Sequence, residues 1–177
     1  MIRLLAITDD PAQPEPPVRA VPAGDLRVLC APAEPEEATP EALWRHEGLI
    51  EDLMEQRTLL PVRFGTVLPD ETAAAAAVAE RRDELAAALD RVRGAVELGL
   101  RVRGEGEAAG VHERLAALAR DAVVRDGPDL LRAAYLVDRD AVDGFVALVR
   151  RLQEAHPDLA LLCTGPWPPY SFAEERR

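Results

Sequence analysis

The chain of 177 residues has no lysine and no asparagine, and its one serine is Ser171. Every basic side chain is therefore an arginine. Without a lysine amine there is no Schiff-base chemistry and no phosphate loop of the glycine-lysine type. Ser171 stands in no Gly-x-Ser-x-Gly setting, which removes the nucleophile elbow of the serine hydrolases. Cysteine is equally scarce: Cys30 and Cys163 lie far apart, and His46, His112 and His156 are scattered, so no metal-ligand spacing is formed. No apolar run approaches the roughly 20 residues that cross a bilayer. The opening stretch Met1 to Asp10 is too short in apolar residues for a signal peptide, and a cytoplasmic location with no membrane partner is the expectation.

What is present is a globular composition. Hydrophobic residues make up 48% of the chain, enough to exclude wholesale disorder. A chain of this length buries roughly 70% of its unfolded surface, as one domain or two small ones. The 21 basic and 32 acidic residues leave a formal charge of −11, which repels phosphate backbones, and no basic stripe offsets it locally. Nucleic acid is not an expected partner.

The apolar run Ile2 to Thr8 predicts a buried strand. Val18–Val21 and Leu26–Cys30 flank Pro22-Ala23-Gly24-Asp25 and predict a hairpin. An acidic loop is expected from Ala31 to Pro40. Thr39 reads as an N-cap with Pro40 at the first helical position, for a helix running to about Gln56 with Leu43, Trp44, Ile50, Leu53 and Met54 on its apolar face. Leu59 to Val67 is strand-like. From Asp70 to Gly94 the pattern is one alanine-rich helix with Ala74, Val78, Arg81, Leu85, Leu89 and Val92 on a stripe. Val96 to Val102 alternates strictly and predicts a half-buried strand. A helix bearing Val111, Leu115, Leu118 and Ala122 should follow, closed by Asp126-Gly127-Pro128. Strand, helix and strand are then expected at Ala133–Val137, Val142–Leu152 and Leu159–Cys163. Together these predict an α+β protein of mostly antiparallel sheets covered by helices, with two small domains, 1–93 and 94–177.

Few constellations carry chemistry. Gly104-Glu105-Gly106-Glu107-Ala108-Ala109 formally matches a dinucleotide fingerprint, but two glutamates beside a pyrophosphate are electrostatically wrong, and an acidic connector is the better reading. No cofactor is expected. Arg63, Glu97 and Arg101 are charged residues within apolar strand-like runs. They support an alternative in which an ionised cluster binds a small ligand or catalyses a reaction, against the simpler reading of solvent-facing ion pairs. The histidines lack local carboxylate or thiol partners and are expected in surface and capping roles. Cys163 reads as a small buried hydrophobe. The segment Pro166, Trp167, Pro168, Pro169, Tyr170, Ser171, Phe172 is the most unusual, since prolines hold its aromatics in a preset order; it is either a strap over the protein's own core or a partner-binding surface.

Four segments, Leu59-Leu60-Pro61-Val62-Arg63-Phe64-Gly65-Thr66-Val67, Val96 to Val102, Ala134-Tyr135-Leu136-Val137 and Thr164 to Phe172, occur in an order that resembles the gas vesicle GvpF/GvpL family. The resemblance implies two α+β domains, at least part of them ferredoxin-like, and an accessory or minor structural role in gas vesicle assembly. It implies neither enzymatic activity nor a cofactor, and it supplies no catalytic, cofactor-binding or metal-binding residues. The implied partners are the apolar gas vesicle shell protein and other gas vesicle accessory proteins, and the implied location is the cytoplasm and the gas vesicle. An acidic chain is suited to shielding an apolar subunit before assembly.

Overall fold

The computed structural model describes residues 1–33, 38–106 and 108–173. Glu34, Glu36, Glu37 and Glu107, placed above in acidic loops, lie outside the described residues. The chain divides into two compact units, Met1–Arg93 together with Phe172 and Ala173, and Gly94–Ser171.

The first unit is built on an antiparallel sheet of β1 (Ile2–Thr8), β2 (Arg19–Ala23), β3 (Leu26–Pro32) and two short strands, β4 (Leu60–Pro61) and β5 (Val67–Leu68). The order is β2-β3-β1-β4, with β5 also pairing with β1. The β2–β3 hairpin turns at Gly24, whose φ of 72° lies in the left-handed region. The strand-like run Leu59 to Val67 is not one strand. Between β4 and β5 the Arg63 carbonyl accepts the Thr66 hydroxyl at 2.9 Å, closing a turn that runs through Gly65.

Thr39 caps α1 (Pro40–Gln56), its hydroxyl accepting the Ala42 N–H at 3.2 Å. The buried face of α1 differs from the expected one. It consists of Ala42, His46, Ile50, Leu53 and Met54, while Leu43 is 41% and Trp44 70% exposed. Trp44 stands two residues from Ala42 and so falls on the opposite side of a 3.6-residue helix, whatever its hydrophobicity. The expected long helix from Asp70 is also two: α2 (Glu71–Glu80), capped by the Asp70 carboxylate on the Ala73 N–H at 2.9 Å, and α3 (Arg82–Val92). Arg81, at φ −113° and ψ 21°, leaves helical geometry between them.

The second unit runs β6 (Ala95–Gly104), α4 (Ala109–Ala116), β7 (Asp121–Val124), β8 (Leu131–Asp138), α5 (Val142–Ala155) and β9 (Leu159–Trp167). Its antiparallel sheet has the order β7-β8-β6-β9. This β-α-β-β-α-β succession is the ferredoxin-like arrangement. The expected helix carrying Leu118 and Ala122 ends at Ala116. Ala122 instead lies in β7, where Val123 and Val124 favour a pleated strand and pair with Ala134 and Ala133.

Leu98, Leu100 and Val102 of β6 join Tyr135 of β8 and Phe145, Val149 and Leu152 of α5 in one buried cluster. The exposed edge of β9 is satisfied from α5: Gln153 Nε2 donates to the Leu159 carbonyl at 2.6 Å, and its Oε1 accepts the Leu161 N–H at 2.8 Å.

Candidate functional site

Residues that alternate with the second unit's core form the sheet face opposite the helices. Across one register, Arg125 just past β7, Arg132 on β8, Arg101 on β6 and Leu162 on β9 make a row. Two residues along, Val123, Ala134, Gly99 and Thr164 make the next row, followed by Asp121, Leu136, Glu97 and Trp167. A groove of about 300 Å³ opens over part of these rows, bounded by Glu97, Arg101, Arg125, Arg132 and Trp167, with Leu136 buried outside it.

Trp167 reaches this position through a bulge. Gly99 pairs with Thr164 but Glu97 pairs with Trp167, so β9 carries one extra residue there. Gly165 makes it possible, with φ 112° and the Glu97 carbonyl so near that a Cβ would lie 2.8 Å from it. The Trp167 Nε1–H then donates to Thr164 Oγ1 at 3.3 Å.

Glu97 is half-buried and tied to the chain end. Its Oε2 accepts the Ser171 N–H at 2.8 Å and its Oε1 accepts the Ser171 hydroxyl at 2.7 Å. Arg125 Nη2 donates to the same hydroxyl oxygen at 2.7 Å. Burial pushes the Glu97 carboxyl upward, against the opposing pull of the Ser171 donors and the Arg125 charge. The result is a fixed Arg125–Ser171–Glu97 bridge at one end of the groove.

The three residues of the ionised-cluster alternative are divided between the units. Glu97 and Arg101 line the groove, whereas Arg63 is an exposed turn residue of the first unit and not a strand residue. Arg125 and Arg132 belong to the groove and were not anticipated. Arg132 had a signal in its place between Leu131 and Ala133 of a strand; Arg125 had none before β7 was known.

In the strap, Pro168, Pro169 and Phe172 are buried, Trp167 and Tyr170 half-buried, and Pro166 exposed. Pro166 and Trp167 extend β9, and Tyr170–Phe172 make a turn of 3-10 helix. Arg91 Nη2 donates to the Phe172 carbonyl at 2.9 Å.

His46 departs from its expected surface role. It is 3% exposed, its Nε2 donates to the Val62 carbonyl at 3.0 Å, and its ring meets Phe64 edge-on at 5.5 Å. His112 Nδ1 lies 2.9 Å from the Tyr135 hydroxyl, and the His156 N–H closes the last turn of α5 on the Leu152 carbonyl. Cys163 is half-buried against the core of its unit, and burial pushes its thiol upward, away from the reactive thiolate. At the glycine-spaced segment, Gly104 is the last residue of β6 and pairs with Leu159. A Cβ there would stand 2.2 Å from the Asp158 carbonyl, so close backbone approach accounts for this glycine. Among the described residues, no helix is long and apolar enough to cross a membrane, and no group of three or more His, Cys, Asp or Glu is placed to hold a metal ion.

The sequence matches the family described as gas vesicle synthesis protein GvpL/GvpF over residues 6–109 and 103–174, and the chain belongs to that family. It is 31% identical to gas vesicle protein F of Streptomyces sp. (strain CB03234), across 91% of this chain and 90% of that protein. It is 29% identical to gas vesicle protein F2 of Halobacterium salinarum, across 78% of this chain and 70% of that one. The fold matches the crystal structure of GvpF from Microcystis aeruginosa with a TM-score of 0.84 at 17% identity, covering 98% of this chain and 99% of that one. GvpF from Anabaena sp. PCC7120 gives the same TM-score at 18% identity. The role of the chain is thus a gas vesicle role.

Proposed function

We propose that this protein is an accessory or minor structural component of gas vesicles that binds the apolar shell subunit, keeps it from aggregating and assists its assembly. The observation that carries the reading is family membership across nearly the whole chain. Two physical features support it. The charge of −11 keeps a complex with an apolar partner dispersed. Trp44 on α1 is 70% exposed with the 41% exposed Leu43 beside it, and an exposed tryptophan is the residue type that most often anchors an interface. Such a protein acts in the cytoplasm and at the vesicle, as a binder without a catalytic step.

Within this reading Pro168, Pro169 and Phe172 serve the fold, as their burial favours, and Pro166, Trp167 and Tyr170 keep partly accessible surface at the end of β9. Co-expression with the shell subunit is the test. The expected result is more soluble shell subunit with this chain than without it, a complex that survives gentle purification, and loss of that complex in Trp44→Ala at nearly unchanged melting temperature. Equal aggregation of the shell subunit with and without the chain, and no recoverable complex, would overturn the proposal.

A further inference from the structure

We propose that the row formed by Arg125, Arg132 and Arg101 on the second unit's sheet is a docking surface for an acidic peptide segment of a partner protein. Arg101 and Arg132 are directly opposed across the β6–β8 ladder, and both are exposed. Like charges in that position repel across a strand pair, and Asp129, whose carboxyl is held down by Arg103 and also by Arg101 and Arg132, offsets this in part. Two carboxylates lie near the row, and each is shared with another partner. Asp129 receives Arg103 Nε at 2.5 Å, and Glu97 is taken up by Ser171. Among the described residues neither Arg101 nor Arg132 makes an ion pair. Asp129 and Glu97 therefore answer the charges of Arg101, Arg103, Arg125 and Arg132 only in part, and a chain of net charge −11 carries here a locally cationic row that a further carboxylate can join.

The surroundings favour a peptide over a phosphate chain. Neighbouring strands are about 4.8 Å apart and same-side residues of an extended peptide about 6.8 Å, a difference the long arginine side chains can span, so that each guanidinium takes a carboxylate through a bidentate fork. The floor beside the row, Ala134, Gly99 and Thr164, is small, and Leu162 and Trp167 offer apolar surface to the aliphatic parts of a peptide. A polyanion that followed the chain further would meet its general negative charge and be repelled.

Fluorescence anisotropy of a labelled short peptide alternating Glu and Leu, titrated with the full chain at low salt, tests this. A Gln-for-Glu peptide is the control. The expected result is that the Glu peptide binds at least about tenfold more tightly, weakens as salt is added, and loses about tenfold or more in Arg101→Gln/Arg132→Gln. Arg150→Gln/Arg151→Gln on α5 makes the same change in net charge away from the row and should bind as the parent does. Circular dichroism checks that each variant is folded, and the single variants replace the double one should it not be. Equal binding of the two peptides, unchanged binding in the groove variants, or displacement of the Glu peptide by inorganic phosphate or single-stranded DNA at lower concentration than by unlabelled peptide would each overturn the proposal. The shell-binding test is independent, because Trp44 lies outside this row.

Discussion

Glu97 holds Ser171 through two oxygens while burial raises its proton affinity above that of an exposed glutamate. The sign of its effect on stability follows from linkage. The native state binds this proton more tightly than the unfolded state does, so stability falls as pH rises from the ordinary glutamate range through the raised native value. Glu97→Gln removes that titration and leaves the others in place. In urea unfolding between about pH 4 and about pH 7, the parent should be most favoured over Glu97→Gln at the acid end and lose ground as pH rises. A pH-independent difference would mean that the hydrogen bonds and Arg125 cancel the burial effect. His46 was legible in the sequence as a helix residue but not as a buried one, because its acceptor, the Val62 carbonyl, is supplied by a segment sixteen residues away.

Element ends in this chain are set by local chemistry and by backbone geometry. Thr39 and Asp70 each satisfy an orphan N–H at the start of a helix, at Ala42 and Ala73. Thr39→Ala and Asp70→Ala should each lower stability by about 1 kcal/mol in chemical denaturation, and a loss within error would show that another group takes over the cap. The β9 bulge is a different kind of device. Gly165→Ala combines a left-handed φ with a Cβ driven onto the Glu97 carbonyl, so a loss of about 1 to 3 kcal/mol and a shifted Trp167 fluorescence maximum are expected. Parent-like fluorescence and stability would mean that β9 tolerates an ordinary residue there.

At the scale of the whole molecule the dominant quantity is the charge of −11. Surface ion pairs such as Arg82–Asp25 and Arg19–Glu71 are exposed and contribute little each, so screening them costs less than screening the general self-repulsion gains. The melting temperature should therefore rise between about 10 mM and about 150 mM salt, as the screening length drops from about 30 Å to about 8 Å. A fall would show that the ion pairs outweigh the repulsion. The arginine row is the local exception, since Arg101 and Arg132 oppose each other across the β6–β8 ladder within a molecule that is negative overall.

Features encoded within a few consecutive residues were readable from the sequence by itself: the Thr39 cap, the alternation that makes β6, the apolar stripe of α5, the hairpin around Gly24 and the α+β class. The ordered segments that resemble the gas vesicle family were readable for a similar reason, since each is a contiguous string. What only the tertiary structure decided depends on partners distant along the chain. Trp44 is exposed and His46 buried because of what packs on α1, not because of what either residue is. The stretch at Ala122 becomes a strand because β8 offers it a ladder, which overrides the helical stripe that ran through Leu118. Arg101, Arg132 and Arg125 come together because antiparallel register sets Arg132 between Arg101, 31 positions before it, and Arg125, seven positions before it. Periodicity records which way a side chain points relative to its neighbours in sequence, whereas register, set by long-range hydrogen bonding and burial, determines what it points at.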